Sequence, residues 1–92
     1  MSRFIMEVNF LTVNGQKKIQ CIRWDTQTGK RIRDEQWCIP TSDIFAVTAN
    51  EDNYTISTRK NGWYSIHRAY DIRVDGVKMT YEEFVSYMDK TI

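Results

Sequence analysis

Apolar and polar positions alternate along most of this chain. Phe4, Met6, Val8 and Phe10 recur with period two, the spacing of one face of a half-buried strand. Asn14-Gly15 follows, the dipeptide that best tolerates the positive φ angles of a type I′ turn, so a β-hairpin is expected from Met1 to Trp24. Folding back at that turn sets Phe10 opposite Ile19, Val8 opposite Cys21 and Met6 opposite Arg23, which gives one apolar face with Arg23 at its edge. The other face carries Ile5, Leu11, Ile22 and Trp24 among Glu7, Asn9, Lys18 and Gln20. That is too apolar for a fully solvated surface, and a helix or a second sheet layer is expected over it in preference to a binding partner.

Asp25 to Gly29 reads as a longer turn that returns the chain into a third strand, Lys30 to Ile39. Its inward side is left open, because a slip of one residue exchanges the face of Ile32 and Cys38 with that of Trp37 and Ile39. Pro40 ends it. Thr41, Ser42 and Asp43 could cap a short helix over Ile44 to Ala49, or that stretch could be a strand entering the loop Asn50 to Asn53; strand is the favoured reading. Tyr54 to Thr58 alternates again and Lys60-Asn61-Gly62 turns the chain. Trp63 to Val74 then reads as one long strand, with Tyr64, Ile66, Tyr70 and Ile72 on one side and Asp75-Gly76 closing it.

Thr80 and Glu83 form a capping box, and Met79 and Phe84 are placed as its hydrophobic staple. Tyr81, Phe84, Val85 and Met88 fall on one side of the helix that follows, so it should lie across a sheet and close the core. The expected class is α+β: an antiparallel β-meander of about five strands with a C-terminal helix packed on the sheet, in a single domain over residues 1–92.

Ninety-two residues suit one core, and three Trp, five Tyr and four Phe supply large buried areas for it. A formal charge of +1 creates no global field, so electrostatic recognition must be local. The alternating N-terminus, with Glu7 and Asn9, fits neither a signal peptide nor a membrane span, so a cytoplasmic monomer or homodimer without membrane contact is expected. If Cys21 and Cys38 flank the turn at Thr26 to Thr28, Cys21 lies opposite Asp34 or Glu35. Cys38 is then displaced by roughly 10 to 13 Å along the strand, too far for a disulfide, and two reduced, mostly buried thiols are expected.

Candidate chemistry is sparse. His67 is the single histidine, so a tetrahedral zinc site lacks ligands and no cofactor is expected. A nucleophilic set can be named from Cys21 or Cys38 with His67 and Asp71, but such a trio arises by chance in most chains of this size, and an enzyme is not expected. The remaining signal mixes cations with aromatics: Trp24, Lys30, Arg31 and Arg33 near the second turn, then Arg59, Lys60, Trp63, His67, Arg68 and Arg73. Arginine forks bind phosphates and carboxylates in bidentate fashion, and aromatic rings stack on bases. The plain alternative is a solvated strand face on which Asp34, Glu35 and Asp71 neutralise these cations. Arg68 stands apart, because it interrupts the apolar side of the long strand and must snorkel, find a carboxylate, or point into a binding surface.

With its short, β-rich chain, its Met1 to Trp24 hairpin and its Thr80 to Ile92 helix, the protein resembles the small accessory proteins of bacterial viruses. Within them it is most similar to the anti-CRISPR inhibitors of type I-F surveillance complexes. The resemblance implies a phage protein that evades host defence by binding a multi-subunit CRISPR effector complex, with or without its guide RNA, and blocks target DNA recognition by steric occlusion. Two alternatives stay open. One is a stand-alone RNA or single-stranded DNA binder; the other is a virion assembly component that self-associates through Ile5, Ile22 and Trp24.

Overall fold

A computed structural model describes residues 3–92, apart from the side chains at 34 and 35. Among the described residues eight strands precede one helix: β1 (Phe4–Val13), β2 (Gln16–Asp25), β3 (Lys30–Pro40), β4 (Ile44–Ala49), β5 (Asn53–Thr58), β6 (Trp63–His67), β7 (Asp71–Val74), β8 (Val77–Met79) and α1 (Tyr81–Thr91). They form a five-stranded sheet of order β3-β2-β1-β7-β8 and a three-stranded sheet of order β4-β5-β6. The α+β class and the helix on the sheet match expectation. The five-strand meander does not: the strands are more numerous, they divide between two sheets, and β1 pairs with β7 in parallel.

The first hairpin forms as its sequence dictates. Asn14 and Gly15 take φ angles of 52° and 77°, and the register sets Phe10 against Ile19, Val8 against Cys21 and Met6 against Arg23. Asp75 and Gly76 repeat this turn chemistry at φ 49° and 84°. They therefore do more than close a strand: they fold β8 back on β7. The Asp75 carboxylate accepts from the Phe10 amide at 3.0 Å and its own amide donates to the Val8 carbonyl at 2.9 Å, which fastens this second turn to β1.

The expected long strand from Trp63 to Val74 is broken. Its first part, β6, belongs to the three-stranded sheet; residues 68–70 turn, with the Tyr70 amide donating to the His67 carbonyl at 3.1 Å, and β7 joins the other sheet. The alternation continues across the break because the sheets face each other, so Ile66 on one and Ile72 on the other both enter the core.

That core unites Met6, Val8, Ile19, Cys21, Ile39, Ile72 and Val74 of the larger sheet with Tyr54, Ile56 and Ile66 of the smaller and Phe84 and Met88 of α1. The capping box is complete: the Glu83 amide donates to Thr80 Oγ1 and the Thr80 amide to Glu83 Oε1, each at 3.1 Å. Met79 packs against the cluster that holds Phe84, as the staple requires. Ile44–Ala49 is a strand, entered from a single 3-10 turn at Thr41–Asp43.

A β-bulge settles the inward side of β3. Register runs from Cys21 against Trp37 to Arg23 against Ile32, so residues 33–36 lie opposite Ile22 alone. The insertion breaks the parity of the strand, and Ile32, Trp37 and Ile39 all fall on the inward face by register. The cysteines are free, but not by displacement along the strand: Cys21 pairs with Trp37 and Cys38 with Gln20, so the thiols point to opposite faces. Cys21 is buried; Cys38, against expectation, is exposed.

Candidate functional site

The second sheet and α1 both pack on the inward face of the five-stranded sheet, through the core described above. Its outward face, on which a covering layer was expected, has no helix or sheet over it among the described residues. By register one row of that face reads Arg31, Trp24, Ile5, Asp71 across β3, β2, β1 and β7; the next reads Ile22, Glu7, Arg73, Lys78, with Leu11 further along β1. Ile22 is buried, while Ile5, Leu11 and Trp24 are half-buried.

Trp24 and Arg31, directly opposed in the register, are brought together, with the guanidinium carbon 5.2 Å from the indole centroid. Trp24 Nε1 is sealed from solvent without a hydrogen-bond partner among the described residues. Arg33 is exposed on the bulge, and with Lys30, Arg31 and Gln36 it lines an open hollow of about 650 Å³. Arg73 shares the face, directly opposite Glu7 on the neighbouring strand. Asp71 shares it too, whereas neutralisation by Asp34 and Glu35 falls on side chains outside the described ones.

Of the other predicted residues, Arg59, Lys60, Trp63 and His67 belong to the three-stranded sheet and its turn, and Arg68 follows it at the edge, beside Asp71 and Lys78. Arg59 and Lys60 are exposed on the turn between β5 and β6, followed by Trp63 at 70% exposure. The turn is held by Thr58, whose amide and hydroxyl both donate to the Gly62 carbonyl, at 2.7 and 2.8 Å. Arg59 donates from its side chain to the Ser42 carbonyl at 3.0 Å. At the far end of β6, His67 Nδ1 accepts from the Ala69 amide at 3.0 Å. Arg68 interrupts no apolar face, because the strand has already ended: it pairs with Glu82 at 2.6 Å and lies 5.0 Å from the Tyr81 ring centroid.

The catalytic trio is not assembled. Cys21 is in the core, Cys38 and Asp71 are on the outward face of the larger sheet, and His67 is on the smaller. Among the described residues no group of three or more His, Cys, Asp and Glu could hold a metal ion, and no helix is long and apolar enough to cross a membrane. What the arrangement offers is two solvent-facing sheets, one with an apolar middle, a cationic β3 edge and charges of both signs toward β7 and β8, and one neutral with exposed aromatics. Sequence reasoning missed Phe45, 59% exposed on β4. The signal was the unbroken apolar run Ile44 to Val47, which a strand with one wet face cannot accommodate without a bulge. No protein-family model, curated protein or solved structure matches the chain.

Proposed function

We propose that this chain is a non-catalytic binding protein that seats the outward face of its five-stranded sheet on a large partner. The observation that carries the reading is the open face itself: the half-buried Ile5 and Trp24 form an apolar middle, Arg31 and Arg33 form a cationic margin at the β3 edge, and Arg73 lies beside Glu7 on the other side. Buried aromatic and arginine anchors inside a polar rim are the anatomy of a protein interface. Trp24 and Arg31 act as one anchor, while Lys30, Arg31 and Arg33 around the hollow meet carboxylates or phosphates.

The partner proposed is a type I-F RNA-guided surveillance complex, inhibited by occlusion of its target-binding surface; this choice rests on the chain's resemblance to the small inhibitors of such complexes. The test is target-DNA capture by a purified complex, titrated with the protein. Stoichiometric loss of DNA binding, relieved when Trp24→Ala and Arg31→Glu are combined, is the expected result. Unchanged DNA binding with no co-elution overturns the choice of partner. Dimerisation with rising concentration, abolished by Trp24→Ala, would assign the face to self-assembly instead.

A further inference from the structure

The outward face of the three-stranded sheet differs from the first. Tyr54, Ile56 and Ile66 point inward to the core, so the intervening positions face solvent. By register they form rows of Ala46, Ser57 and Trp63, then Thr48, Thr55 and Ser65, then Asn53 and His67. These rows hold no acid, lysine or arginine. The Thr55 and Ser65 hydroxyls hydrogen-bond each other at 3.2 Å, which keeps the middle of the face low and flat.

Two aromatic rings stand out of this surface. The register of β4 and β5 shifts between Ile44 and Ala46, which sets Phe45 and Ala46 together against Ser57, while Trp63 flanks Ser57 from the other side. Phe45 is 59% exposed and Trp63 70%. They bracket Ser57 across two strand spacings, about 10 Å. The charge at the margin is directional: Arg59 and Lys60 are exposed on the turn that leads into Trp63, and Glu51 and Asp52 lie at the opposite end of the strands.

We infer that this face is a stacking platform for single-stranded nucleic acid, with Phe45 and Trp63 each taking the face of a base and Arg59 and Lys60 the adjoining phosphates. Aromatic side chains on a neutral sheet beside cations are the combination that single strands require, because every base has a π-face and every linkage a charge. A sugar would also stack on Trp63, but it needs planar bidentate partners, and the short hydroxyls around Ser57 are not such groups. The platform is on the far side of the molecule from the proposed protein-binding face, so either can fail without the other.

The experiment is fluorescence anisotropy of labelled oligothymidine and oligouridine of about ten nucleotides, long enough to span the platform. It uses the intact protein at low salt. Binding is expected, weakened about five- to a hundredfold by Trp63→Ala and by Phe45→Ala, with Trp24→Ala as the control that leaves it unchanged. Two phosphate contacts set a slope of log affinity against log salt of about −1.4, halved by Lys60→Gln. Circular dichroism checks that the variants are folded, which is the expected result because both rings are exposed and their truncation leaves the core intact. Absence of binding at low salt, binding indifferent to both rings, or loss only in Trp24→Ala overturns the inference.

Discussion

Trp37 of β3 and Tyr64 of β6 stack across the gap between the two sheets, with ring centroids 4.7 Å apart and planes inclined by 26°. The bulge at residues 33–36 turns Trp37 inward, so this contact couples an irregularity of one sheet to the docking of the other. Trp37→Ala is expected to cost about 3 kcal/mol, the low end for truncating a core aromatic because the ring is half-buried. In a double-mutant cycle with Tyr64→Ala, a coupling of about 1 kcal/mol measures the stacking beyond area burial. Urea unfolding reads both quantities, and strict additivity would remove the stack as a link between the sheets.

The same residues show where the sequence stops being legible. Local rules carried the Asn14-Gly15 hairpin and the Thr80–Glu83 box, since each is decided by a few neighbouring dihedrals and hydrogen bonds, whereas they only tilted Ile44–Ala49 from helix toward the strand it forms. Period-two alternation, however, states only that a side chain faces the core and not from which sheet. Ile66 and Ile72 therefore read as one strand although the chain changes sheets between them. At the candidate site, residue types were legible and grouping was not. Arg31 and Trp24 meet through cross-strand register, whereas Arg59, Lys60 and Trp63 are carried to the opposite side by the change of sheet. The uncovered face of Ile5 and Trp24 could not be foreseen, because both covering elements choose the other side.

The cysteines should differ sharply in reactivity. Cys38 is exposed, whereas burial pushes the Cys21 thiol well above its ordinary ionisation range and denies it access to reagents. Iodoacetamide at neutral pH is expected to add to Cys38 in the native protein and to Cys21 only after unfolding, as read by peptide mass. Equal labelling of both under native conditions would contradict the pairing of Cys21 with Trp37 on the inward face.

Tyr54 is 1% exposed and its ring meets Phe84 edge-on at 5.1 Å, but its hydroxyl has no hydrogen-bond partner among the described residues. Burial drives its ionisation far above the ordinary tyrosine range, so the group is neutral and pays for desolvation without a bond in return. Tyr54→Phe keeps the ring contact and removes the orphaned oxygen. A gain of about 1 kcal/mol in urea unfolding is expected, and a loss of that size would show that the hydroxyl does bond.

Acid stability should depend on Asp25, which ends β2 with 5% exposure. Its carboxylate accepts from Arg3 Nε at 3.1 Å and Nη2 at 2.8 Å, and from the Gln27 amide at 2.9 Å. The Arg3 hydrogen bonds hold it below the usual carboxylate range; burial opposes this, and the Gln27 amide supports it. A carboxyl whose folded pKa lies below its unfolded value stabilises the fold fully above the unfolded value, about 4, and loses that contribution as pH falls through the folded one. At neutral pH Asp25→Asn is therefore expected to unfold at lower urea than the parent protein. The difference shrinks progressively below about pH 4, where the parent carboxyl takes up its proton. A series of urea midpoints from neutral to acid pH checks this, and a gap that stays constant throughout would mean that the Arg3 pair does not discriminate folded from unfolded chain.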